Sequence, residues 1–171
     1  MTKTAHRLRS MSISSNRLPG GSVAHYSDEW YTPALLVQKL GIFDLDPCAG
    51  PMNHAVRNLR AVHGEDGLAF DWFGRVWLNP PFSNVHDWLT KMVSHNNGIA
   101  LVNARPETQW FQKAAASAQA VFWPLRRIKF KRPEGKETNP PVGQALIAWG
   151  QPNVAALKSC GIPGILTLIQ S

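Results

Sequence analysis

Two adjacent prolines, Pro80 and Pro81, separate the apolar run Val76-Trp77-Leu78 from a stretch whose apolar residues recur with helical spacing. Each proline fixes φ near about −65° and removes an N–H, and the residue before a proline is pushed out of the helical region. The chain is therefore held extended through Asn79-Pro80-Pro81 and turns only afterwards. Downstream, Val85, Trp88, Leu89, Met92 and Val93 fall at i, i+3, i+4, i+7 and i+8, which predicts an amphipathic helix started by Ser83 or Asn84. A strand, a rigid turn and a helix in that order form the repeating unit of an open α/β sheet, in which ligands gather at the carboxyl ends of strands.

The rigid turn has chemistry of its own. It holds the Asn79 side chain and the Pro80 carbonyl in one fixed relation, and two such oxygens suit a substrate amino group, because each can accept one of its N–H donors. Phe82 directly follows and can stack on a flat heterocycle. The plainer reading is a proline-rich turn after a buried strand.

Before this block, residues Met1 to about Ala24 are rich in Ser, Arg and Gly without periodicity, and read as a flexible basic tail (1–24) ahead of one domain (25–171). Order is expected from Asp28-Glu29-Trp30-Tyr31-Thr32-Pro33. Thr32 suits an N-cap and Pro33 the first helical position of a helix through Leu35, Leu36 and Leu40. Thr32 serves either as that cap alone or, with nearby backbone N–H groups, as a holder of a carboxylate. A short strand follows, alternating Phe43 and Leu45 with Asp44 and Asp46, and breaks into Pro47-Cys48-Ala49-Gly50. This is either a plain strand-turn or an acid at a strand end followed by small residues that let a backbone approach a nucleoside cofactor. Met52 to Ala61 reads as a helix capped by Asn53. Of the acids in the polar turn after it, Asp66, followed by Gly67 and Leu68, is the candidate for a cofactor contact; the alternative is a surface turn acid.

Gly98 is expected to separate the amphipathic helix from a strand at Ile99 to Val102. Arg105, just past that strand, belongs to the same series of strand ends as Asp46 and Asn79. A helix with Trp110, Phe111, Ala114 and Ala118 comes next, then strands at Ala120 to Trp123 and Gln144 to Trp149. Between them Pro124 to Gly143 carries Arg126, Arg127, Lys129, Lys131, Arg132 and Lys136 around Phe130. Basic residues interleaved with an aromatic suit a phosphate backbone beside unstacked bases. A helix ended by Gly161 and a strand near Ile165 to Ile169 close the chain.

The 171 residues can bury a core, and 18 Lys and Arg against 11 acids give a net charge of +7, which favours a polyanionic partner or simply a soluble basic protein. Cys48 and Cys160 have no metal-site spacing and make no disulfide framework, so no metal is expected and a reducing cytoplasm is. No apolar run is long enough for a membrane span, and no secretory signal is visible.

Taken together, Asp28-Glu29-Trp30-Tyr31-Thr32-Pro33, Phe43-Asp44-Leu45-Asp46-Pro47-Cys48-Ala49, Asp66-Gly67-Leu68, Val76 to Phe82, Ala104-Arg105 with Trp110-Phe111, and Arg127-Ile128-Lys129-Phe130 resemble the phage-type DNA N-6-adenine methyltransferases. The resemblance runs from about Asp28 to Gly150. It implies an α/β, single-domain, Rossmann-like fold with a mostly parallel sheet, and S-adenosylmethionine as methyl donor. It also implies that Thr32, Pro33, Asp46, Pro47, Cys48, Ala49 and Asp66 hold the cofactor and that Asn79, Pro80, Pro81 and Phe82 hold the target adenine. Arg105, Arg127, Lys129, Lys131 and Arg132 are the expected contacts to double-stranded DNA, with the base flipped out of the duplex. The cytoplasm is then that of a bacterial host. The same tetrapeptide also serves methyltransferases of RNA and of protein glutamine, and a catalytically silent DNA-binding module is the reading from another class.

Overall fold

The computed structural model describes residues 31–49, 66–131, 137–138 and 140–170. The basic tail, Asp28-Glu29-Trp30, the helix expected at Met52 to Ala61 with its Asn53 cap, Gly50, and Arg132 with Lys136 lie outside the described residues.

Strand β2 (Gly98–Asn103) is apolar at every position from Ile99 to Val102, and its first five residues are buried. A strand buried on both faces must lie inside a covered sheet. Ile99 and Leu101 pack to one side and Ala100 and Val102 to the other. On one flank β1 (Val76–Leu78) runs parallel to it, with Val76 opposite Gly98 and Leu78 opposite Ala100. Gly98 is there for that approach: a Cβ at this position would run into the Val76 carbonyl oxygen. The helix before it ends instead at Asn96, whose left-handed backbone (φ 55°) lets its N–H bond the Met92 carbonyl. Leu45 makes a single parallel bridge to Val76, all that forms of the strand expected at Phe43 to Asp46.

On the other flank the sheet departs from the expected mostly parallel form. Strand β6 (Gln144–Trp149) is antiparallel both to β2 and to β3 (Ala120–Pro124), and β7 (Gly164–Leu168) is antiparallel to β3. The order is β1-β2-β6-β3-β7, a mixed sheet in which β1, β2 and β3 point one way and β6 and β7 the other. A return in parallel needs a crossover, usually a helix. The described part of the segment between β3 and β6 has no helix, only the short antiparallel ribbon of β4 (Phe130–Lys131) and β5 (Glu137–Thr138), so β6 comes straight back beside β3.

Helices cover both faces. Trp88, Leu89 and Met92 of α2 (Val85–His95) are buried, with Val85 and Val93 packed at the margin, as their spacing predicts. They share a cluster with Phe111 and Ala114 of α3 (Gln109–Ser117) and with Leu78, Val102 and Ile147 of the sheet. On the opposite face, Val37 of α1 (Ala34–Lys39) and Val154 and Leu157 of α4 (Gln151–Ser159) pack on Trp77, Leu101 and Leu146. No helix among the described residues is long and apolar enough to cross a membrane.

At the amino end of β1, Arg75 ties this second face together. Its guanidinium donates to the Leu40 carbonyl at the end of α1 (2.9 Å), to the Ile42 carbonyl (2.9 Å) and to Asn153 of α4 (2.6 Å), and lies 4.0 Å from the Phe43 ring centroid. Its own N–H bonds the Asp44 carboxylate at 2.8 Å. Burial lowers the guanidinium pKa, and the Asp44 charge opposes that shift. Arg75→Met, which keeps most of the stem and removes the donors, is expected to lower the unfolding free energy by about 2–4 kcal/mol. Urea denaturation followed by circular dichroism checks this, and a loss under about 1 kcal/mol would show the contacts to be incidental.

Candidate active site

Because the Leu45 bridge, β1, β2 and β3 point the same way, their carboxyl ends form one edge. Asp46, Asn79, Asn103 and Pro124 stand on that edge, and Gln144 joins them from the amino end of β6, opposite Asn103. The sequence assigns the first two to a ligand; topology brings the others beside them.

The turn after Leu45 is closed by Asp46, which is 1% exposed. Its carboxylate accepts the Cys48 N–H at 3.0 Å and its carbonyl accepts the Ala49 N–H at 3.3 Å. The Cys48 thiol packs beside the core, and burial first, then the Asp46 charge, push its pKa well up, so the thiol stays protonated. A second turn is laid against this one. Gly67 sits so close that a Cβ there would run into the Pro47 carbonyl oxygen and come within 2.8 Å of Trp88. Asp66 is thus held beside Pro47-Cys48. It is exposed, and its carboxylate accepts the Leu68 N–H at 2.9 Å.

Two residues that the sequence does not single out brace this second turn. Trp72 donates its indole N–H to the Gly67 carbonyl (2.8 Å), and Lys91 of α2 donates to the carbonyls of Leu68 (2.7 Å) and Phe70 (2.6 Å). Trp72 also stacks on Trp88. Only the indole ring and a lysine on an otherwise ordinary helix signal this in the sequence, and neither is specific.

Asn79-Pro80-Pro81-Phe82 leaves β1 as the prolines require. Pro81 is extended (φ −59°, ψ 137°), and a 3-10 turn over Phe82–Asn84 then leads into α2. Pro80 is buried, while Asn79, Pro81 and Phe82 are partly exposed along the edge. The helix starts where the spacing predicts, but Asn84 makes no side-chain cap bond.

Thr32 does not cap α1. Pro33, at ψ 126°, holds the extended position that precedes the helix, and the first turn begins one residue later. The Thr32 hydroxyl is buried with no partner among the described residues; the Trp77 indole N–H and the Asn103 side-chain oxygen share that condition. Tyr31 pairs with Lys131 through two backbone bonds of 2.9 and 3.0 Å, which joins Thr32-Pro33 to the ribbon of the basic segment.

That segment leaves β3 at the same edge. Arg126, Arg127, Lys129 and Lys131 are exposed. Gln144 secures it: its side-chain oxygen accepts the Ile128 N–H at 2.8 Å while its amide N–H donates to the Val142 carbonyl at 2.6 Å. Arg127 also donates to the Pro140 carbonyl at 3.3 Å. Arg105 is exposed just past β2, with Glu107 at 3.6 Å. In the sequence, a lone Gln opening an apolar run gives no hint that it anchors a loop.

The edge thus combines a braced turn with a buried acid, the extended Asn79-Pro80-Pro81 turn followed by Phe82, and an exposed cationic segment anchored by Gln144. The family model for DNA N-6-adenine-methyltransferase (Dam) matches residues 22–151. A DNA N-6-adenine-methyltransferase of Haemophilus phage HP1 is 31% identical over 125 residues, covering 68% of this chain and 67% of that protein. Another, of Escherichia phage T1, is 33% identical over 107 residues, covering 56% of this chain and 44% of the relative, so the chain spans less than half of that one. No solved structure matches the chain significantly. With the family model covering most of its length, this chain belongs to the DNA N-6-adenine-methyltransferase family.

Proposed function

We propose that this protein transfers a methyl group from S-adenosylmethionine to the exocyclic amino group of an adenine flipped out of double-stranded DNA. The observation that carries the reading is Asn79-Pro80-Pro81-Phe82 on the same edge as the Asp46 turn, in a chain that the DNA N-6-adenine-methyltransferase model matches.

The residues fit the cofactor. Asp46-Pro47-Cys48-Ala49 offers a turn of small residues around a buried carboxylate, with Asp66 against it. Thr32, next to Pro33, keeps a buried hydroxyl with no partner among the described residues, as a ligand carboxylate would need. When bound, S-adenosylmethionine supplies an electrophilic methyl on a sulfonium.

The chain's own groups prepare the acceptor. The lone pair of the adenine amino nitrogen is delocalised into the ring, which makes the nitrogen a poor nucleophile until it pyramidalises. The Asn79 side-chain oxygen and the Pro80 carbonyl each accept one N–H, favour the pyramidal form, and stabilise the positive charge that develops on nitrogen. No strong base is needed, since the proton becomes acidic only as the N–C bond forms and then passes to solvent. Extruding the base costs about a few kcal/mol, which stacking on Phe82 partly offsets. Arg127, Lys129 and Lys131, with Arg105 and Arg132, hold the phosphates on either side.

Asn79→Ala is expected to abolish transfer of labelled methyl to unmethylated duplex DNA while S-adenosylmethionine affinity stays within about threefold, because the cofactor contacts lie on another turn. Labelled N-6-methyladenine from the wild type, read by nucleoside analysis, is the supporting result. Turnover retained by the variant would remove the central assignment. Neutralising Arg127, Lys129 and Lys131 together is expected to weaken DNA binding and to flatten the dependence of log K on log salt by about 2–3, at about 0.9 per lost phosphate contact. An unchanged slope in a fluorescence-anisotropy titration would assign the segment elsewhere.

A further inference from the structure

Along the carboxyl edge the order is the Asp46 turn, Asn79, Asn103, then Gln144 with the basic segment. Asn103 stands beyond Asn79 from the turn read as the cofactor site, and short of the segment read as the DNA contact. A ligand group at Asn103 would lie between the residues read as holding the target amino group and the segment read as the DNA contact.

The alternation of β2 decides which face Asn103 shares. Ile99 and Leu101 pack in the cluster of Trp77, and Asn103 is the next residue on that side. The register sets Leu78 opposite Ala100, which carries Asn79 to the level of Leu101. Asn103 is then its diagonal neighbour, at roughly 8 Å between backbones for a strand spacing of about 4.8 Å and a rise of about 3.3 Å per residue.

The Asn103 side-chain oxygen is buried with no partner among the described residues. A buried carbonyl oxygen without a partner is costly, and such an atom at a strand end beside a candidate site is open to a bond from a ligand. Gln144, directly opposite, is turned to other partners: its oxygen accepts the Ile128 N–H and its amide donates to the Val142 carbonyl.

Resting on the methyltransferase reading above, we propose that Asn103 is a specificity-determining residue that reads the flipped base, its side-chain amide bonding a ring nitrogen of adenine while Asn79 and Pro80 hold the amino group. Both amino hydrogens are then occupied, so a ring nitrogen is the polar group left on the base, and it needs a donor. An amide that turns over about its terminal bond presents its N–H in place of its oxygen at almost the same shape.

The test measures kcat/KM for methylation of duplex DNA by the wild type, Asn103→Leu and Asn103→Ser. The substrates contain adenine or, in its place, 1-deaza-, 3-deaza- or 7-deazaadenine, and S-adenosylmethionine binding is titrated in parallel as a measure of the folded state. Both variants are expected to bind the cofactor within threefold of the wild type and to lose tenfold or more in kcat/KM on adenine. One deaza substrate is expected to penalise the wild type by a similar factor and the variants not at all. A merely structural residue would leave that substrate's penalty unchanged. Equal deaza penalties in all three proteins, or variants within twofold of the wild type on adenine, would overturn the inference while wild-type transfer upholds the methyltransferase reading. No transfer by the wild type would overturn both.

Discussion

The site depends on the parallel pairing of β1 with β2. That pairing requires the two backbones to meet where Gly98 faces the Val76 carbonyl, a contact with no space for a side chain. Because the strands run the same way, each releases its last residue at the same edge, and Asn79 and Asn103 become neighbours although they are distant in sequence. The Leu45 bridge adds Asp46 on the outer side. Had β1 paired antiparallel, the rigid Asn79-Pro80-Pro81-Phe82 turn would stand at the far end of the sheet from β2's carboxyl terminus.

The two edges use their polar groups differently. At the amino edge, polar groups are consumed: Arg75 joins α1 and α4, and Asn153 donates both to Asn97 (3.1 Å) and to the Trp149 carbonyl (2.6 Å). At the carboxyl edge, the Asn103 oxygen is buried with no partner among the described residues, as are the Thr32 hydroxyl ahead of α1 and the Trp77 indole N–H within β1. The carboxyl edge has its own braces in Trp72, Lys91 and Gln144, and beside them it keeps hydrogen-bonding capacity, as expected of a scaffold that binds at its strand ends.

Much of this was legible in the sequence where the signal is local. The spacing from Val85 to Val93 located α2, the two prolines located the turn after β1, and the apolar run from Gln144 located β6. Direction was not legible, because an apolar strand reads the same both ways; the reversal of β6 follows from a connection without a helix among its described residues. At Thr32 two correct local rules competed, and the extended Pro33 moved the helix start by one residue. The braces were not legible either. Arg75 meets Asn153 across 78 positions and Lys91 meets Leu68 across 23, and pairings of that range leave no periodic trace. Gln144 reaches Ile128 across 16, with the same result.

The position of β6 has a consequence for how the chain is made. It lies between β2 and β3, yet it is synthesised after both. Until Gln144–Trp149 has left the ribosome, β2 and β3 have no direct pairing with each other, and each exposes backbone donors and acceptors along the side that β6 will occupy. At about 5–20 residues per second, the interval between completing β3 and completing β6 is about one to five seconds. For that time β2 and β3 have no strand between them, and pairing β2 with β6 closes the longer of the two loops. The carboxyl edge is therefore complete only once Gln144, the anchor of the basic segment, arrives with β6, and β7 then adds on the far side of β3.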